Sequence, residues 1–344
     1  MKVAITGGTG FLAAHIIQQI LTSHPDISII ATVRDLQRAA FLTALPGKQD
    51  ETRLKLVVAD LSKPETFEGV FQGCDAVLHV ASPYILSGVK DPMKELVEPA
   101  VNGTKAILQE AQRAKTVKRV VITSSTVAIT GEARPGHTFT ESDWNTAATL
   151  TYQSYGYSKV QAEKAAWSFM ENTPSSEINF DLIVLNPSGI FGPSLSKNIN
   201  ETNGIFISFA KREIPALMHN NIPLVDVRDC AQAHILALTP SIPSGRYIIS
   251  SYTKSMPDLA ALVAKAYPAI AKSLPSVTLP DWLAKGMAYM LGQQGHGLRA
   301  GIGKGGNVLD NGKGRKALGW KSRDLEESLR DTFEDLVRWG HIVV

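Results

Sequence analysis

Val3-Ala4-Ile5-Thr6-Gly7-Gly8-Thr9-Gly10-Phe11-Leu12-Ala13 lies at the start of the chain, and its reading decides the fold. Val3–Thr6 is a short apolar strand and Gly7–Gly10 is a turn. Phe11–Leu21 then places Leu12, Ile16, Ile17 and Ile20 on one face of a helix. Glycines let a backbone turn tightly and approach a pyrophosphate. The helix N-terminus that follows offers free N–H groups and a positive dipole end to that phosphate. Two registers fit: Gly8, Gly10 and Ala13 read as G-x-G-x-x-A, whereas Gly7, Gly10 and Ala13 read as G-x-x-G-x-x-A. Alone the motif says little, but a strand before it and a helix after it are the context that a dinucleotide site requires.

Downstream, strand-like and helix-like segments alternate. Ile27–Val33, Leu54–Ala59, Ala76–Ala81, Arg119–Ser124 and Phe180–Leu185 read as strands, and Lys94–Lys115 and Ser154–Glu171 as helices. The strands are continuous apolar runs, as expected when helices cover both faces of a sheet. The fold class is therefore α/β, a doubly wound parallel (Rossmann) sheet. Residues 1–186, with about 220–250, are assigned to the dinucleotide-binding domain. About 187–219 and 251–344 are assigned to a smaller substrate-binding lobe. Gly292–Gly314 is rich in glycine and poor in apolar periodicity, and it reads equally as a surface loop or as a flap over a substrate.

Composition narrows the function. The 344 residues are 44% hydrophobic and 19% charged, which is globular, and a net charge of +3 gives no electrostatic footprint for nucleic acid. Cys74 and Cys230 lie far apart, without metal-ligand spacing or a disulfide framework. No apolar run reaches the ~18–20 residues of a membrane span, and a strand beginning at Val3 leaves no room for a signal peptide. The expectation is a cytoplasmic protein, monomer or homodimer, acting on a small molecule.

The end of the second strand, Ala31-Thr32-Val33-Arg34-Asp35, bears on cofactor choice. An acidic residue there binds ribose hydroxyls, and an arginine accommodates a 2′-phosphate. Arg34 and Arg38 are placed to bracket such a phosphate, which points to NADP(H). Asp35 is the competing ribose ligand; a plain solvated Arg34–Asp35 turn is the alternative.

Tyr155 and Lys159 stand four residues apart, on one face of a helix. A tyrosine is a poor proton donor near neutrality until a neighbouring ammonium stabilises its phenolate. Thr123-Ser124-Ser125 ends the fifth strand, at the carboxyl edge where ligands bind in such sheets.

With these segments in place, the sequence resembles the extended short-chain dehydrogenases/reductases, in particular the branch of dihydroflavonol reductase, cinnamoyl-CoA reductase and microbial NADPH-dependent aldehyde and ketone reductases. The resemblance rests on Thr6–His15 (TGGTGFLAAH), Ala31–Asp35 (ATVRD), Ala59–Leu61 (ADL), His79–Pro83 (HVASP) and Val101–Thr104 (VNGT). It continues through Val120–Ser125 (VVITSS), Tyr155–Trp167 (YGYSKVQAEKAAW), Asn186–Pro193 (NPSGIFGP) and Val225–His234 (VDVRDCAQAH), fading beyond Tyr252. It implies that Tyr155 is the general acid of carbonyl reduction. Lys159 binds the nicotinamide ribose and tunes Tyr155, and Ser125 hydrogen-bonds the carbonyl oxygen. It implies further that Asp60 and Leu61 meet the adenine and that Ala81 and Ser82 line the cofactor's path. Pro187 and Ser188 contact the nicotinamide end, and Arg34, with Arg38 as a looser match, holds the 2′-phosphate. Gly7, Gly10, Phe11, Leu12 and Thr123 complete the cofactor-contacting set. Ala13 replaces a glycine common in relatives. Tyr157 has no lysine four residues on, so Tyr155 is chosen.

Other residues read as structural: His79 as a packed, hydrogen-bonded histidine, Arg228-Asp229 as a pair or helix start, and Trp144 and Trp167 as packing residues, with Trp144 near enough in sequence to approach the site. Phe206, Phe209, Met218, Trp282 and Met287 are candidates to line a pocket for hydrophobic or aryl carbonyls. The competing functions are an NAD-dependent nucleotide-sugar epimerase or dehydratase, a hydroxysteroid dehydrogenase, and a non-catalytic NADP-sensing module. The Thr126-Val127-Ala128 that follows Ser125 lacks the acidic residues of the dehydratases, and an intact Tyr155–Lys159 pair argues against the sensing module.

Overall fold

The computed structural model describes residues 1–47, 51–82, 89–134, 136–290, 299, 301–303 and 306–344. The first half runs β1 (Lys2–Thr6), α1 (Phe11–Ser23), β2 (Ser28–Val33), α2 (Ala40–Thr43), β3 (Leu54–Val58), β4 (Ala76–His79), α3 (Glu98–Ala114), β5 (Arg119–Thr123), β6 (Thr138–Phe139) and α4 (Ser154–Asn172). The second runs β7 (Asp181–Pro187), β8 (Gly189–Phe191), α5 (Glu201–Ala210), β9 (Asn221–Asp226), α6 (Val227–Leu236), β10 (Gly245–Ile249), β11 (Tyr252–Ser255), α7 (Met256–Ala266), α8 (Asp281–Met290), β12 (Val308–Leu309), α9 (Gly312–Leu318) and α10 (Leu325–Arg338).

Seven strands form one parallel sheet in the order β10-β7-β5-β4-β1-β2-β3. The strand order reverses at β1, which pairs with β2 on one side and β4 on the other. In open α/β sheets the crevice beyond the carboxyl ends of the strands at such a point is where ligands bind. The central strands are apolar along their length because both faces are covered. Val3, Ile5, Leu78, Val121 and Leu185 pack under α1 and α6. Ala4, Val77, Val120, Ile122 and Val184 pack with Ile107, Leu108 and Ala111 of α3 on the other face. Edge strand β3 is only partly covered, and its last residue, Val58, is 53% exposed.

A third apolar cluster unites β8, β9, α5, α7 and α10, through Phe191, Phe206, Phe209, Leu224, Leu259, Val263, Leu329 and Phe333. Phe206 and Phe209 are 1% and 0% exposed within it, so they are core residues and not candidates for a pocket wall. Asp324 caps α10 by accepting from the Glu326 and Glu327 N–H groups at 2.9 and 3.1 Å, as an acidic helix start should.

Two expectations from sequence are corrected here. The single helix over Lys94–Lys115 is a π-helical turn at Met93–Val97 running into α3. Pro99, in the first turn of α3, has no N–H to donate to the preceding turn, so the helical ladder is reset there. The strand expected to end at Leu185 continues to Pro187, because β10 pairs with it as far as Ile249↔Pro187. That extension brings Asn186 to the carboxyl edge of the sheet. Among the described residues, no helix is long and apolar enough to cross a membrane.

Candidate active site

The glycine turn lies at the reversal of strand order. Gly7 has φ +71°, a conformation that L side chains rarely adopt, and a Cβ placed on it would lie 2.9 Å from the Ala81 Cβ. Gly10 is the N-cap of α1, has no side-chain cap, and donates its N–H to the Gly7 carbonyl at 2.8 Å. The register that the backbone requires is therefore Gly7-x-x-Gly10-x-x-Ala13, with Ala13 fully buried where the helix meets the sheet. The first turn of α1 carries no acidic residue. Its N–H groups and positive dipole end suit an anion. Leu12 is 5% exposed and can offer little but its backbone, while Phe11 is partly buried and meets His15 edge-on.

Loop-to-strand hydrogen bonds hold this turn. The Gly8 N–H donates to the Thr32 carbonyl at 2.8 Å and the Ala81 N–H to Thr6 Oγ1 at 3.1 Å. Thr6 Oγ1 also pairs with His79 Nδ1 at 2.9 Å. Burial, reinforced by the nearby Lys159 charge, lowers the His79 pKa to about 3. His79 is thus the neutral, packed histidine that its strand position suggested.

Beyond β2, Arg34 and Arg38 are both exposed. Asp35 turns its carboxylate back on its own loop, where Oδ1 accepts from the Gln37 N–H at 2.7 Å and the Arg38 N–H at 3.4 Å. Asp60 does likewise with Ser62, whose backbone N–H and hydroxyl both donate to Oδ1 at 2.9 Å. That backbone hydrogen bond is the main cause of an Asp60 pKa below the ordinary carboxylate value.

Lys159 is the centre of the constellation. Its Nζ donates to Ser82 Oγ at 3.0 Å, lies 3.5 Å from the Thr123 carbonyl and sits 5.8 Å from the centroid of the Tyr155 ring. Burial lowers its pKa from 10.5 to about 8, opposed by the negative charge of Glu163 one helical turn on. A cavity of about 20 Å³ has Leu61, Ala81, Ser82, Thr123, Ser124, Lys159 and Glu163 in its wall. Pro187 ends β7 and Ser188 follows it, donating its N–H to the Ile249 carbonyl at 3.0 Å; among the described residues the buried Ser188 hydroxyl has no partner.

The serine pair divides its work. Ser124 Oγ donates to Glu163 Oε2 at 2.5 Å and is buried. Ser125 Oγ accepts from the Val127 N–H at 3.3 Å, a contact that leaves its own proton free to donate. Tyr155 lines a cavity of about 400 Å³ with Val127, Thr130, Gln153, Asn220, Asn221 and Asn307 among its neighbours; Tyr157 does not. Gln153, the N-cap of α4, holds a left-handed backbone (φ 54°) immediately before this helix. Asn145 braces it by donating from Nδ2 to Gln153 Oε1 at 3.3 Å and to the Val127 carbonyl at 2.9 Å.

Several sequence readings move. None of Phe206, Phe209, Met218, Trp282 and Met287 lines the cavity beside Tyr155; Met218 packs with Ala284, Ala288 and Ile302, and Trp282 and Met287 are exposed. Arg228 pairs with Asp226 at 2.7 Å and Asp331 at 2.5 Å, and not with Asp229, whose partner is Arg323 at 3.2 Å. Adjacent residues of a helix start diverge by about 100°, so each finds a different element. Trp144 lies under the Arg246 guanidinium, 3.8 Å from its ring centroid, and Trp167 packs on the α3 side of the sheet. Gly292–Gly314 falls partly outside the described residues; Gly301, Gly306 and Asn307 are described and line the cavity beside Tyr155. The sequence reading also missed Glu163, Asn186 and Arg246. Glu163 had a signal, its position four residues after Lys159. Arg246 had none, because its neighbours in space are distant in sequence.

Comparisons with known proteins show the family. The family described as Male sterility protein matches residues 5–234. The chain is 33% identical to the NADPH-dependent methylglyoxal reductase of Saccharomyces cerevisiae, over 98% of this chain and 99% of that protein. It is 34% identical to tetraketide alpha-pyrone reductase 1 of Arabidopsis thaliana, over 99% and 97%. The crystal structure of yeast methylglyoxal/isovaleraldehyde reductase complexed with NADPH superimposes with a TM-score of 0.81 at 30% identity, covering 99% of this chain and 100% of that one. This chain belongs to the Male sterility protein family, within the extended short-chain dehydrogenases/reductases.

Proposed function

We propose that the protein is an NADPH-dependent reductase that converts a small, neutral aldehyde or ketone to an alcohol. One observation supports this most: the buried Lys159 ammonium is held beside Ser82, the Thr123 carbonyl and the Tyr155 ring, and Tyr155 opens onto a cavity large enough for a small substrate. NADP(H) fits the residues present. The Gly7–Gly10 turn and α1 would hold its pyrophosphate, the exposed Arg34 and Arg38 its 2′-phosphate, and Lys159 its nicotinamide ribose. When bound, it supplies a hydride to the carbonyl carbon. The Tyr155 hydroxyl gives its proton to the carbonyl oxygen, and the Ser125 hydroxyl donates a hydrogen bond to that same oxygen. The Lys159 charge stabilises the resulting phenolate.

The substrate class follows from the cavity wall. Among its described residues there is no Asp, Glu, Lys or Arg; Thr130, Gln153, Asn220, Asn221 and Asn307 make it polar and neutral. Such a wall suits a neutral carbonyl compound with further hydrogen-bonding groups, such as a dicarbonyl or hydroxycarbonyl. Its described residues offer no clamp to the phosphates of a CoA thioester or sugar nucleotide. The similarity to a methylglyoxal reductase supports the same class.

The test is NADPH consumption across aldehydes, ketones, dicarbonyls, a CoA thioester and a sugar nucleotide, with wild type and Tyr155→Phe. Neutral carbonyls should be turned over, and Tyr155→Phe should lose ~10²–10⁴-fold in kcat while keeping NADPH affinity. Preference for the sugar nucleotide, or near wild-type turnover by Tyr155→Phe, would reject the assignment.

A further inference from the structure

Glu163 is buried at 1% exposure in the interior of α4, and its carboxylate meets three other strands or their ends. Oε2 accepts from Ser124 Oγ at 2.5 Å and from Asn186 Nδ2 at 2.9 Å. Oε1 accepts from Arg246 Nε, in β10, at 2.5 Å. Asn186 Nδ2 also donates to the Ser125 carbonyl at 3.2 Å. Ser125 is therefore tethered on both sides, through the Ser124 hydroxyl and through its own carbonyl, to a single carboxylate. Arg246 is fixed in turn, because Nη1 donates to the Glu141 and Asp143 carbonyls at 2.7 and 2.6 Å and its plane covers Trp144.

We propose that Glu163 is a positioning residue: held by Arg246, its carboxylate locks the Ser124–Ser125 strand end against the helix that carries Tyr155 and Lys159. The proposal rests on the assignment of Ser125, Tyr155 and Lys159 given above. A chemically neutral hydrogen-bonding residue would tie these elements less firmly, since bonds to a charged acceptor are shorter and stronger. The carboxylate does a second job. It is the charge that opposes the desolvation of Lys159 one turn earlier. The groups facing Lys159 are Tyr155 and Glu163 from α4 and neutral His79 from β4, while α3 presents Ala100 and Thr104 to the same cavity. Arg246 is the cation that faces Glu163 from β10.

Glu163→Gln alone strands the buried Arg246 charge and will cost fold stability, so the informative variants are Glu163→Asp and the double variant Glu163→Gln, Arg246→Met. The double variant removes both charges, so it should melt above Glu163→Gln alone and below wild type, its remaining cost being the Glu141 and Asp143 carbonyls that lose the Arg246 donor. With methylglyoxal and isovaleraldehyde as probes, its kcat should fall by at least ~10-fold, since misplaced reacting groups are costly, with KM little changed. The alkaline limb of kcat/KM, and of NADPH affinity measured by fluorescence without substrate, should move down by ~1 pH unit. Glu163→Asp retains the charge and loses the reach, so it should keep the wild-type limb and lose kcat. A double variant with wild-type kcat and wild-type limbs in both readouts would overturn the proposal and leave Glu163 a stabilising residue only. Tyr155→Phe in the same assay separates the two levels: if it retains turnover, the site assignment itself fails and the proposal with it.

Discussion

Lys159 donates a 3.0 Å hydrogen bond from Nζ to Ser82 Oγ, joining the helix that carries Tyr155 to the loop that follows β4. The bond spans the crevice at the sheet's carboxyl edge, and it holds a desolvated cation whose pKa burial has lowered from 10.5 to about 8. Between those two values the unfolded chain binds the proton and the folded chain releases it. Stability from this group therefore rises with pH from about 8 to 10.5, and its burial penalty is in full force below about 8. Activity should move the other way, because the charge proposed to anchor the ribose and the phenolate is lost. We expect kcat/KM for reduction to decline above pH ~8 while this contribution to the melting temperature rises. Lys159→Met should abolish both trends. A wild-type profile flat to pH 10 would contradict the role given to Lys159.

Cofactor selectivity should depend on Arg34. Asp35 is engaged with its own loop, so the exposed guanidiniums of Arg34 and Arg38 are the groups at this edge suited to a 2′-phosphate. Hydrogen bonds to charged groups contribute ~1.5–3 kcal/mol, so one or two of them predict a preference for NADPH over NADH of roughly 10- to 10³-fold. Arg34→Ala should weaken NADPH strongly and NADH little. Kinetics with both cofactors measure this ratio, and an unchanged ratio would move attention to Asp35.

At the glycine turn, Gly7→Ala should be far more damaging than Gly10→Ala. The first forces a left-handed alanine, at ~1–2 kcal/mol, and drives its methyl to 2.9 Å from the Ala81 Cβ. The second places a methyl 3.1 Å from the Gly7 carbonyl on an ordinary backbone. Gly7→Ala should lower NADPH affinity by at least ~10-fold, equivalent to ~1.4 kcal/mol. Equal affinities for the two variants in fluorescence titration would show that the turn relaxes freely.

Away from the site, Arg119 ties β5 to the segment between α6 and β10. Its guanidinium donates to the carbonyls of Ala237, Thr239, Pro240 and Ile242 and to Asp181 at 3.2 Å. Arg119→Met would leave those carbonyls without their donor, at a cost on the order of 3 kcal/mol, or a fall in Tm of ~5–10 °C. NADPH affinity at temperatures well below the transition should be unchanged. A loss confined to affinity, with Tm intact, would be the opposite result.

Sequence alone determined the local pieces. The strand, glycine turn and helix at Val3–Leu21, the pair Tyr155–Lys159 and the serines at the end of β5 are legible because each depends on periodicity or backbone freedom within a few residues. So is Ala13, whose small side chain suits close helix–sheet packing. Tertiary structure decided the rest, because burial and partner choice depend on residues that meet only after the chain folds. That Gly7 has no room for a side chain was decided by Ala81, seventy-odd residues away. Ser124 and Ser125 are chemically identical in the sequence, and only the carboxylate of Glu163 separates the anchored hydroxyl from the available one. Phe206 and Phe209 looked like pocket residues because apolarity is visible in sequence, but the direction in which an apolar side chain is buried is not. The wall beside Tyr155 is instead drawn from small and amide side chains near residues 127–156, 220 and 306. They carry no periodic signal, since a cavity is defined by the side chains that fail to fill it.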